Sequence, residues 1–202
     1  MIQKEYKKAS KVFYSISKFY NQWKVSDKKA LAEDEMHPSR HEFGIDEYIR
    51  IKASYAECLM NVGQIQHAID KFENAKRSIE NEIVYENPML FVNVCNQLGN
   101  CYLMAAQDGP KAERKDFLTK ALDNFESSLC LINRMIADDL PQGMVGKICL
   151  NIALIRAELN CHQQAVIMIQ KSIEYKRNEP NYNPDDVRDQ YILLAGSMQK
   201  AR

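Results

Sequence analysis

NVGQIQHAIDKFENA, residues 61–75, and NQLGNCY, residues 96–102, decide how this chain is read. In the first, Ala68, Phe72 and Ala75 recur at i, i+4 and i+7, which places them on one face of a helix. In the second, Leu98 and Gly99 set a large residue beside a small one, with Tyr102 one turn on. The same grammar occurs three times. The first copy is Tyr55-Ala56-x2-Leu59, Gly63, then Ala68-x3-Phe72-x2-Ala75. The second is Leu98-Gly99-x2-Tyr102, then Ala121-x3-Phe125-x2-Ser128, and the third is Ile152-Ala153, then Ala165-x3-Ile169-x2-Ser172. A small residue at a helix crossing lets two antiparallel backbones approach, and the large one fills the hole opposite. The cysteines keep the register: Cys95 and Cys149 share one repeat position, Cys58 and Cys101 another.

This pattern resembles the tetratricopeptide repeat, a 34-residue helix-turn-helix unit with W-x2-L-G-x2-Y on helix A and A-x3-F on helix B. Repeat starts at 49, 92 and 146 give periods of 43 and 54. The second period includes an extra stretch around AAQDGPKAERKDFL, and repeats of about 40 residues are similar to the long type of kinesin light chains and of polarity and cilium-associated adaptors. The tryptophan position holds Lys52, Cys95 and Cys149, and Arg156 stands where a helix A aromatic is expected. Pro88, Pro141 and Pro184 each precede an apolar-periodic stretch, the first-turn place that proline tolerates. Helices are expected at about 3–24, 46–61, 65–84, 89–107, 112–137, 142–159, 162–178 and 184–200. The last is expected to cover the final repeat through Val187, Tyr191, Leu194 and Met198. Around 105–118, Asp108-Gly109-Pro110 reads as a break, so a loop is expected there.

Composition narrows the function classes. Lys+Arg and Asp+Glu are 27 each, so the net charge of zero argues against a nucleic-acid partner. Seven Gly and six Pro among 202 residues favour helices over a β-sandwich, which needs a turn every ~8–12 residues. No apolar run reaches the ~18 residues of a membrane span, and MIQKEYKKASK has no apolar signal core. Six cysteines with no CxxC pair read as reduced, buried thiols, hence a cytoplasmic setting without structural zinc.

The first forty residues differ in character. Tyr6, Ala9, Phe13, Ile16, Tyr20 and Trp23 form one aromatic stripe, flanked by Lys4, Lys7, Lys8, Lys11 and Lys18 and by Phe19. Residues 1–30 hold eight Lys and two acids, and 31–47 hold six acids and one Arg, so the two blocks are able to pair with each other, which accounts for the zero total. A helix lying on a membrane needs an apolar face of its own. One stripe is clear and packing on the first repeat uses it, so no membrane contact is expected. His37 and His41, around Pro38 and without nearby cysteines, are not expected to hold a metal.

The resemblance implies that helix A lines a concave groove. On the second repeat the groove positions are Asn93, Asn96, Asn100, Leu103 and Met104, with Val92, Cys95, Leu98, Gly99 and Tyr102 behind them. Lys147 and Asn151 fall on helix A of the third repeat, and Arg50 and Glu57 on that of the first. Asparagines at 93, 96 and 100 stack along one stripe. A carboxamide offers donor and acceptor together, so such a ladder clasps a peptide backbone without reading side chains. Chaperone co-factors of this family clamp a carboxylate tail with Lys, Asn, Asn, Lys and Arg. Here Asn100 and Asn151 fit, but Asn96, Asp189 and Leu193 stand where the cations belong, so chaperone-tail binding is not expected. There is no phosphate loop, nucleophile elbow or metal-spaced histidine pair. His67 and His162, at the starts of B helices, are expected to face solvent.

The sequence therefore predicts an all-α, right-handed α-solenoid: an N-terminal basic helix and linker at 1–44, three repeats at 45–178 and a capping helix at 179–202. It is read as a non-enzymatic scaffold or adaptor without cofactor, binding a protein or peptide through Arg50, Glu57, Asn93, Asn96, Asn100, Lys147 and Asn151. The alternatives are a subunit or fragment of a larger helical-repeat assembly, or a peripheral membrane protein using the N-terminal helix. Oligomeric state is not fixed by any of these patterns.

Overall fold

Lengths repeat before anything else does. The computed structural model describes residues 2–30, 45–81, 87–135 and 141–201. Among these residues the chain forms helices α1 (Ile2–Ala30), α2 (Ile45–Asn61), α3 (Ile65–Glu80), α4 (Pro88–Asp108), α5 (Arg114–Ile132), α6 (Gln142–Glu158), α7 (His162–Arg177) and α8 (Arg188–Lys200), with no strand. A 3-10 turn, Pro184–Val187, leads into α8. Helices α2 and α6 both have 17 residues, and α3 and α7 both have 16. The connections match as well. Gly63 and Asn160 have positive φ, 81° and 63°, and lie 97 positions apart, the separation of the repeat starts at 49 and 146. In both turns an amide reaches back five residues, Gln64 N to Leu59 O at 2.9 Å and Cys161 N to Arg156 O at 2.7 Å. Such a left-handed residue closes a helix by satisfying its last carbonyls, and glycine and asparagine enter that conformation at little cost. The first and third hairpins are thus one structural unit used twice.

Prolines set the starts as expected. Pro88 opens α4, where the Leu90 amide donates to Asn87 Oδ1 at 3.2 Å. Pro141 directly precedes α6, and Pro184 opens the 3-10 turn, where the Asp185 amide donates to Asn183 Oδ1 at 3.1 Å.

The chain divides into two compact units, Met1–Cys101 and Tyr102–Arg202. In the first, α1 packs on α2, and α2 on α3. Among the described side chains of α1, Tyr6, Ala9, Ser10 and Phe13 are half-buried, and the Tyr14 and Tyr55 rings lie 6.1 Å apart. Ala56, Leu59, Ala68, Ile69, Phe72 and Ala75 are all buried. The tryptophan position is filled otherwise. Lys52 folds its ammonium over the Tyr48 ring at 4.0 Å and reaches Ser78 Oγ at 3.4 Å. Burial, with the Lys71 charge second, holds its pKa below the ordinary lysine value.

In the second unit, α5 packs on α6, α6 on α7 and α7 on α8. Ala121, Phe125 and Ser128 are buried, as are Ala165, Ile169 and Ser172. Gly146 permits a close approach of α6 to α7. Ser172 Oγ donates to its carbonyl at 2.7 Å, and a Cβ there would lie 3.4 Å from Ser172 O. Arg156 does not substitute for an aromatic by packing. Its guanidinium binds Glu126 Oε1 at 2.6 Å and so ties α6 to α5, as Arg114 and Glu158 do, also at 2.6 Å.

Several expectations need correction. Around 105–118 the loop is present but short, residues 109–113: α4 runs on to Asp108, and α5 begins at Arg114. The Gly109 amide donates to Ala105 O at 2.8 Å, which closes the last turn before Pro110 stops it. A Cβ at 109 would overlap the Ala105 carbonyl oxygen and press on Phe117. Gly109→Ala is therefore expected to lower stability by about 1–3 kcal/mol, the range for overpacking, in urea unfolding. An unchanged midpoint would show that the turn opens freely.

The stripe assigned to α8 is rotated. Val187 is buried, but Tyr191 and Met198 are exposed and Leu194 is half-buried. The contacts to α7 run instead through Gln190, 3.2 Å from Ser172 Oγ, and an Arg177–Tyr191 hydrogen bond at the margin, and Ser197 is buried. Helix α1 is longer than expected, ending at Ala30, while α3 ends at Glu80 and α5 at Ile132. His67 is exposed as expected, but His162 is half-buried and its Nδ1 has no partner. His37 and His41 lie outside the described residues, as do the side chains of Phe19, Tyr20 and Trp23. No helix of the described residues is long and apolar enough to cross a membrane.

Candidate functional site

Helix α4 carries the candidate site because of how little of it is left uncovered. Val92, Val94, Cys95, Leu98, Gly99 and Cys101 are buried. From Val92 to Cys101 the residues that are not buried are Asn93, Asn96, Gln97 and Asn100, and all four are carboxamides. They advance by three, one and three, a strip along one side of the helix. Asn93 is exposed and the others are half-buried. Asn100 Nδ2 donates to Gln97 Oε1 at 3.0 Å, so two members of the strip hold each other's orientation. Gln97 is the member that the repeat pattern did not single out. Its spacing of four from Asn93 and three from Asn100 was the signal available.

The strip is uncharged and stands on a nonpolar floor. Cys95 and Cys101 are pushed up to about 12 by burial; Lys76 and Glu80 act on Cys95 in opposite senses. These thiols are protonated at neutral pH and supply no charge or nucleophile beneath the amides. What the strip offers is donor and acceptor pairs, which suit a peptide backbone.

Of the other site residues in the first unit, Arg50 and Glu57 are both exposed on α2, seven residues apart and so on one side of that helix. In the second unit, Lys147 is exposed and Asn151 half-buried on α6, one turn apart. Their strip is not amide-rich. It continues through half-buried Leu150 and exposed Leu154, which sequence reasoning passed over because leucines in a repeat helix read as core. Lys147 falls 97 positions after Arg50, so both units place a cation at the same repeat position. Cys149 beneath them is pushed up to about 11 by burial, against the Lys171 charge. Among the described residues no cluster of His, Cys, Asp or Glu is arranged to hold a metal.

Comparison with known proteins returns no matching family model and no matching curated protein. Among solved structures the chain is similar to BtubC (BKLC) from P. vanneervenii, with a TM-score of 0.64 and 14% sequence identity. The likeness covers 81% of this chain and 60% of that one, so the chain spans less than two thirds of that structure. At this identity the match shows a shared fold: an all-α chain of consecutively packed helices.

Proposed function

We propose that the chain is a partner-binding protein built as a right-handed, tetratricopeptide-like α-solenoid, and that the strip on α4 holds the backbone of an extended partner segment. The observation that carries this reading is the unbroken run of carboxamides, Asn93, Asn96, Gln97 and Asn100, on the part of α4 that is otherwise buried. Arg50 and Glu57 adjust charge in the first unit. Lys147 and Asn151 have the corresponding task in the second, beside Leu150 and Leu154. Each amide bond to a partner contributes about 0.5–1.5 kcal/mol net, so four of them together with some apolar contact give micromolar binding and no tighter.

The test is affinity capture from cell lysate with the wild-type chain and an Asn96→Ala/Asn100→Ala variant, circular dichroism confirming equal helicity. Loss of two bonds lowers affinity about 10- to 100-fold, which removes a micromolar partner from the captured set. Partners retained equally by both chains would move the site off α4. A second reading, docking into a larger helical-repeat assembly, is favoured by the outer face of α8, where Tyr191, Ile192 and Met198 are exposed. Sedimentation of the isolated chain separates the two: a monomer fits the adaptor, self-association the assembly piece.

A further inference from the structure

Helix α1 carries a feature that the groove does not use. Lys4, Lys7, Lys11 and Lys18 are exposed and recur at intervals of three, four and seven, a ridge along about 21 Å of helix. Lys8 lies beside it, paired with Glu5 at 3.2 Å. The packed side of α1 is the opposite one, where Tyr6, Ala9, Ser10 and Phe13 are half-buried. Lys4–Lys7, Lys4–Lys8 and Lys7–Lys11 are like-charge pairs at i+3 or i+4, each costing the isolated helix about 0.2–0.5 kcal/mol. Glu5 is the single carboxylate among residues 3–18. An anionic surface laid against the ridge removes this repulsion.

Apolar side chains add little beside the ridge. Val12 is 57% exposed, but Tyr14, 56% exposed, sets its ring against Tyr55 of α2, and Ile16 lies on the Ala9 and Phe13 side of the helix. The apolar stripe stays with the packing, so contact with a membrane rests on the charge of the ridge. The shape of the surface selects the occupant. A single convex helix gives an extended peptide no groove, and a partner helix no central apolar seam. A flat, deformable array of negative charge meets it along its whole length.

We propose that the lysine ridge of α1 docks the protein on an anionic lipid surface. The experiment is co-sedimentation of the full chain with phosphatidylcholine vesicles containing about a third phosphatidylserine, against phosphatidylcholine alone. Binding is expected to the anionic vesicles only, and to fall at least tenfold when salt rises from about 0.05 to 0.2 M. Each lysine at such a surface is worth about a fivefold change in partitioning, so Lys4→Gln/Lys7→Gln/Lys11→Gln weakens binding on the order of a hundredfold. Glutamine keeps helix propensity, and circular dichroism checks it. Arginine at the three positions restores binding, and Lys111→Gln/Lys115→Gln/Lys171→Gln, the same charge loss in the second unit, leaves it unchanged. No binding to anionic vesicles, equal binding to neutral ones, or equal loss with the second-unit variant overturns the proposal. So does binding of polyglutamate through the ridge by a chain that ignores vesicles, which would assign it to an acidic protein.

Discussion

Moving from about pH 7.5 to about pH 10.5 is expected to cost the folded chain about 2 kcal/mol for each of three buried thiols, Cys95, Cys101 and Cys149. Burial raises their pKa values from 9.0 to about 12, about 12 and about 11. Below pH 9 both folded and unfolded chains hold these protons, and stability is at its full value. Above it the unfolded chain releases them while the folded chain keeps them, so stability falls until the pH passes the folded values. Tyr55 and Tyr175, raised chiefly by burial, add to the loss. Lys52 opposes it, because its lowered pKa means that the folded state sheds an unfavourable charge first. The total approaches the whole stability of an ordinary domain. Urea unfolding at the two pH values measures it. The Cys95→Ala/Cys101→Ala/Cys149→Ala variant starts from lower stability at neutral pH but shows most of the slope removed. An undiminished slope would place the titrating groups elsewhere. Thiol labelling provides an independent check: Cys130 and Cys161 are exposed and react in the native chain, while Cys58, Cys95, Cys101 and Cys149 wait for denaturant.

Phe72→Ala and Phe125→Ala are each expected to cost about 3–5 kcal/mol, the range for deleting a buried ring. Both rings are fully enclosed, and each is flanked by the small residues of its own helix, Ala68 and Ala75 or Ala121 and Ser128. These neighbours hold the backbones close, so the hole left by the ring has little means of collapsing. The third repeat has Ile169 at this place, and Ile169→Val, which removes a single methylene, costs only about 0.5–1.5 kcal/mol. Denaturant midpoints rank the three. A Phe125→Ala loss no larger than that of Ile169→Val would mean that the second hairpin is not organised around its ring.

These positions were legible because small-x3-large-x2-small has one solution on a helix. All nine residues of the pattern, from Ala68 to Ser172, are buried. The 97-residue register between the first and third hairpins was legible for the same reason, and Gly63 and Asn160 mark it in the turns. Helix α8 was misread because its packing surface is small and polar. Ser172 and Gln190 meet there and Ser197 is buried, whereas Tyr191, Ile192 and Met198 supply the apolar period on the outer side. Apolar periodicity identifies a helix; it does not identify which face is covered when two faces compete. The break at Asp108-Gly109-Pro110 was legible, because a glycine followed by a proline ends a helix; α4 stops at Asp108 and α5 begins at Arg114. At the candidate site the asparagine spacing was legible. Gln97 was passed over although its spacing was visible, because the repeat pattern does not mark its position, and burial of everything around it shows that the strip has four members.

The claim that a partner lies on that strip is tested most directly by placing a photo-activatable benzophenone side chain at Asn93, and in a second chain at Asp70, exposed on α3. Each chain is illuminated with lysate, and the cross-linked peptides are identified. The account predicts a discrete partner peptide joined at position 93, absent when Asn96 and Asn100 are alanine, and little or nothing joined at position 70. Partners joined at 70 and not at 93 would contradict it.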